Sequence, residues 1–76
     1  MSTARAAPAP LDLSPVRDEI ASILARVAAH AAAGSCHAQA ACDRGLAFEL
    51  RCAASCLMTA AGLLDELRPS RVKAQA

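Results

Sequence analysis

Leu46, Leu50, Ala53, Leu57, Ala60, Leu64 and Leu67 recur at alternating spacings of four and three. That is the a/d pattern of a helix laying one seam against another helix. The flanks of the seam are apolar as well, at Ala47, Phe48, Cys52, Ala54, Cys56, Met58, Ala61 and Leu63. Only a narrow strip is left for water, at Arg44, Arg51, Ser55 and Glu66, with Asp65 beside it. A helix that apolar is normally covered on more than one side, and a chain of 76 residues has little else to cover it with. The pattern predicts a partner before it predicts any chemistry.

The composition sharpens this. Hydrophobic residues make up 55% of the chain, but there is one Phe, no Tyr and no Trp, and much of the apolar content is alanine. Alanine favours helix strongly and brings little buried area, so such a chain makes helices easily and a well-filled core with difficulty. Below about 70–80 residues a single core contributes only ~3–5 kcal/mol, and small folds lean on staples or partners. The net charge of +1, with no basic patch interleaved with aromatics, leaves nucleic-acid binding without a footprint. Met1 to Pro10 holds one Arg and no apolar core segment, unlike a secretory signal. No run is read as reaching the ~20 apolar residues that span a bilayer. The expected location is the cytoplasm, where cysteines stay reduced.

Along the chain, residues 1–13 read as a flexible leader, with Pro8 and Pro10 and no face to bury. Ser14-Pro15 reads as a helix start, serine at the N-cap and proline where its missing N–H costs nothing; Asp18 and Glu19 suit the first turn. Val16, Ile20, Ile23, Leu24, Val27 and Ala31 form one stripe of a helix over about 15–33. Gly34-Ser35 reads as C′ glycine followed by a new N-cap, and a second helix is expected over about 36–67, with Gly45 inside it as a weak point or, alternatively, as the turn itself. Pro69 ends that helix, and residues 68–76 form a small basic tail. The predicted fold is all-α: a two-helix antiparallel hairpin with a leader, completed by a partner or by self-association. The expected partner-binding residues are Leu46, Leu50, Leu57, Ala60, Leu64 and Leu67.

Four cysteines and two histidines require a metal test. Cys52 and Cys56 are four apart and share a helix side, and helical rotation places Cys42 there too, while Cys36 falls elsewhere. With Met58 this is a soft donor set of the kind that suits Cu(I). Against it, free cysteine is commonly a small buried hydrophobe, and the spacing fits no structural zinc site. Packing is the expected role, with Cys42, Cys52, Cys56 and Met58 kept as the alternative metal set and no cofactor expected. Two cysteines ten apart on one helix lie about 15 Å apart along its axis, too far for a disulfide. His37, expected in the first turn of helix two beside Cys36, and His30, expected near the end of helix one, read as solvated. Asp65 and Glu66 are adjacent and point apart. No nucleophile, orienting group and cleft come together, so no catalytic residue and no enzyme activity are expected.

The order of features resembles the type III secretion needle co-chaperones, very small cytoplasmic helical hairpins. The features are a short leader, the amphipathic helix Val16–Ala33, the Ala33-Gly34-Ser35-Cys36 turn, and a helix with Gln39 early that closes on Ala60-Ala61-Gly62-Leu63-Leu64-Asp65-Glu66-Leu67. The resemblance implies docking on a helical-repeat chaperone, the two together holding a needle subunit soluble and unpolymerised as a hetero-oligomer. Cys52-Ala53-Ala54-Ser55-Cys56 also resembles, once, the paired-cysteine motif of cysteine-rich four-helix copper-storage proteins, which implies Cu(I) binding in a bundle interior. A self-associating accessory subunit, two hairpins forming an antiparallel four-helix bundle, is the third reading, with neither nucleic acid nor membrane insertion expected.

Overall fold

The computed structural model describes residues 11–68; most of the expected leader, Pro69 and the basic tail lie outside them. Helix α1 spans Ser14–Gln39 and helix α2 spans Asp43–Leu64, extended by one 3-10 turn at Asp65–Leu67. There is no strand among the described residues. The two helices pack antiparallel along their length, so the hairpin is all-α, as expected.

The helix start differs from expectation in one detail. Ser14 is the first helical residue rather than the cap, and Leu13 occupies the N-cap without a side-chain bond. The Ser14 N–H donates instead to the Asp12 carboxylate at 2.9 Å, and the Leu13 carbonyl accepts from Val16 and Arg17 at 3.1 Å each. The Ser14 N–H bond holds the Asp12 carboxyl below the usual carboxylate value, with Arg17 adding a smaller pull. Pro15 sits in the first turn, where its ring fits.

The turn is the larger correction. It lies at neither Gly34 nor Gly45 but at Ala40–Cys42. Ala41 takes φ 54°, its N–H donates to Ala38 at 3.1 Å, and Cys42 N–H donates to His37 at 2.8 Å. Those two bonds form a Schellman motif, in which the left-handed C′ position usually belongs to glycine. Here an alanine fills it. Helix one is therefore a turn and a half longer than the sequence reading, and helix two begins at Asp43 instead of Cys36. Gln39 ends α1 rather than opening α2. Asp43 stands in the first turn of α2, where a negative charge suits the dipole.

Gly34 and Gly45 both lie inside helices, but only at Gly45 does the other helix come too close for a Cβ. Gly34 is buried, and a Cβ on it would rest 3.4 Å from Glu49 Cβ and 3.8 Å from Leu46 Cδ1, ordinary contact distances. At Gly45 the same atom would come within 2.5 Å of the His37 ring, closer than two heavy atoms allow. The His37 imidazole, expected in solvent at a helix start, lies over the bare backbone of Gly45 in the last turn of α1.

The seam on α1 is Val16, Ile20, Ile23, Val27, His30, Gly34 and His37, all partly or wholly buried and spaced four and three throughout. Leu24 and Ala31, expected in the stripe, are exposed on its flank. On α2 and its 3-10 turn the covered set is Leu46, Glu49, Ala53, Cys56, Ala60, Leu63 and Leu67, equally regular. Only Ile23 (2% exposed) and Ala60 (6%) are fully buried apolar side chains among the described residues.

Candidate functional site

The heptad read from the sequence divides in two. Ala60 is buried against α1, and Leu46 and Leu67 are half-buried, so these three of the six expected docking residues serve the hairpin's own seam. Leu50, Leu57 and Leu64 do not. They remain 61%, 48% and 52% exposed, one position along from Glu49, Cys56 and Leu63, which take the inner places. Seven residues apart, they form a row on one flank of α2.

The neighbouring helix continues the same side. Leu50 shares a groove of about 260 Å³ with Ala31, Gly34, Ser35 and Ala38 of α1. Leu24 lies seven residues before Ala31 and is 45% exposed. This side of the hairpin is thus an apolar sheet of leucine and alanine side chains drawn from both helices. The polar strip expected at Arg44, Arg51, Ser55 and Glu66 is exposed, as is the apolar Met58 at 76%.

The seam itself holds a polar contact that the heptad reading missed. His30 Nδ1 lies 2.6 Å from Glu49 Oε1, with side chains 30% and 14% exposed. An ionised carboxylate only accepts, so the Nδ1–H of His30 donates to it. His30 is therefore mid-helix and partnered, in place of the solvated residue expected near a helix end. Its signal was available: Glu49 and His30 both fall on the four-three spacing of their seams.

On the opposite side a groove of about 360 Å³ is lined by His30, Phe48, Arg51, Cys52, Ser55 and Cys56. Cys52 and Cys56 do face one way. Cys42 does not join them; it is exposed at the turn, about 15 Å away by helical rise. Met58 points away from that groove, two residues and about 200° round from Cys56. The four residues of the alternative metal set therefore do not converge, and among the described residues no three of His, Cys, Asp and Glu cluster in a way that would hold a metal ion. All four cysteines are free thiols.

One sequence reading needs a second correction. The span Asp43–Leu67 is long and apolar enough to cross a membrane by length and composition, with a mean hydropathy of 1.3, and only 6% of its apolar window is buried in the hairpin. A core helix with that composition would be mostly covered. This one carries much of its apolar surface outside, beside the exposed charges of Arg44, Arg51 and Glu66. No family model, curated protein or solved structure matches the chain.

Proposed function

We propose that this protein is a small cytoplasmic co-chaperone that docks through its leucine side on a helical-repeat chaperone, the pair keeping a type III secretion needle subunit soluble and unpolymerised. The observation that carries the docking role is the exposed row Leu50, Leu57 and Leu64, with Leu24 beside it, on a hairpin in which, among the described residues, only Ile23 and Ala60 are buried apolar side chains. Exposed apolar surface of that extent marks an interaction site. A pair of helices that presents an apolar side is a natural occupant of the groove formed by stacked helical repeats. The needle-subunit role extends the resemblance in helix order and closing motif.

The test is co-purification of the full chain with a type III helical-repeat chaperone and its needle subunit. Leu57→Asp and Leu64→Asp place a charge in a dry interface, costing several kcal/mol, and should lose the chaperone and leave the needle subunit aggregated. Arg51→Ala, on the polar strip, should keep it. Retention by both leucine variants with loss by Arg51→Ala would overturn the docking face.

A further inference from the structure

The leucine side has a symmetry that the docking role does not require. On α1 the exposed row is Arg17, Leu24, Ala31 and Ala38; on α2 it is Asp43, Leu50, Leu57 and Leu64. Each row is four residues at sevenfold spacing. Because the helices run antiparallel, Arg17 and Leu64 stand at the open end, and Ala38 and Asp43 at the turn. The opposite charges thus occupy diagonal corners of the face. His30 is level with Glu49, and His37 is level with Gly45. That places the midpoint of Leu24 and Ala31 level with the midpoint of Leu50 and Leu57, to within about two residues along the helical rise.

We infer that this face binds a second copy of the chain, turned end for end, in an antiparallel four-helix bundle whose two-fold axis passes through that shared midpoint. A rotation about this axis, which lies in the face and across the helices, stacks each row on its own mate. Leu50 then meets Leu57 of the other copy, Leu24 sits over the small Ala31, and Arg17 passes over the small Ala38. A large side chain faces a small one along α1, leucine meets leucine in the middle of α2, and at the ends of α2 Asp43 of one copy stands over Leu64 of the other. At each end Arg17 of one copy comes beside Asp43 of the other, diagonally across the bundle. The alternative two-fold axis, parallel to the helices, gathers both arginines at one end and both aspartates at the other, so the charges select the end-for-end arrangement.

The area is sufficient. Each row is about 32 Å long, and two packed helices are about 20 Å wide. The face is on the order of 600 Å² per copy, or about 1,200 Å² in total, at the lower edge of stable specific interfaces. The inference shares with the preceding section only the assignment of the leucine side as the docking face. The bundle is the form of the free chain, which a chaperone would displace.

The test is sedimentation of the full chain under reducing conditions across a dilution series at about 0.05 M salt, where exposed charges are weakly screened. The wild-type chain should be a dimer that dissociates on dilution. Leu57→Asp should be a helical monomer, and Leu50→Ser, a milder change on the same row, should shift dissociation to higher concentration. Arg17→Glu and Asp43→Arg should each weaken the dimer about three- to tenfold, and the double reversal should restore it. A dimer indifferent to Leu57→Asp and Leu50→Ser would overturn the face. Single reversals that weaken it without rescue in the double variant would overturn the end-for-end orientation. A wild-type monomer at all concentrations would overturn the dimer, while loss of the helical-repeat chaperone by Leu57→Asp would still stand as evidence for docking.

Discussion

Two stripes run side by side along α2, one residue out of step. The inner one, Leu46, Glu49, Ala53, Cys56, Ala60, Leu63 and Leu67, closes the hairpin. The outer one, Leu50, Leu57 and Leu64, is all leucine and stays exposed. Each stripe holds three leucines, but the inner one intersperses them with small or polar residues and the outer row has leucine alone. Alanine, cysteine and a partnered glutamate let α2 lie close to α1, and the missing side chain of Gly45 leaves room for the His37 ring. Leu50, Leu57 and Leu64 lie outside the surface that the hairpin covers. In a chain this short, composition near the seam is set by the approach of two backbones.

This contrast is broken most directly at Ile23, which meets the inner stripe. Ile23→Ala should lower stability by about 2–4 kcal/mol through lost burial and a residual cavity, read as a fall in the thermal or urea midpoint by circular dichroism. Glu49→Ala should come next, at about 1–3 kcal/mol, because it leaves a half-buried His30 N–H without its acceptor. If Glu49→Ala is as benign as an exposed substitution, the inner stripe is not the structural one. Ala41→Gly should move the other way. Relieving the left-handed alanine at the turn should stabilise the hairpin by about 1 kcal/mol without touching either stripe. The smallest effect is expected at Leu57→Ser, measured at concentrations where the chain is monomeric: within about 0.5 kcal/mol on folding, since the side chain is already exposed. A large loss there would place Leu57 in the fold and erase the distinction.

The existence of two helices, their antiparallel pairing and the apolar surplus on the second were legible from spacing alone. The turn was not, because its left-handed residue is Ala41, a residue with no turn signature, whereas Gly34-Ser35 carries the usual stop-and-cap chemistry. The backbone bonds from Ala41 and Cys42 to Ala38 and His37 outweigh that signature, and Gly34 lies buried inside α1 instead. The register within α2 was half legible. Leu46, Ala53, Ala60 and Leu67 belong to both possible heptads, and preferring leucine to Glu49 and Cys56 selects the one that runs through Leu50, Leu57 and Leu64. The correct choice needed the partner helix: a histidine at a seam position on α1 favours the heptad that brings a glutamate to meet it. The cysteines misled for a related reason, since Cys42 was rotated onto a helix that begins one residue after it.

The His37 ring over Gly45 gives the hairpin an index mark. Sliding α2 along α1 by about one turn would bring Phe48 or Glu49 beneath the imidazole, and both carry the Cβ that has no room there. Leucine and alanine seams are permissive about register, since one turn resembles the next. Here one absent methyl group leaves a notch for the ring in its present rotamer, and a Cβ there would push the ring aside. A residue inserted into the Ala40–Cys42 connection would shift the notch away from the ring, so the length of that turn and the glycine at position 45 are tied to each other. Relatives of this chain should change them together or not at all.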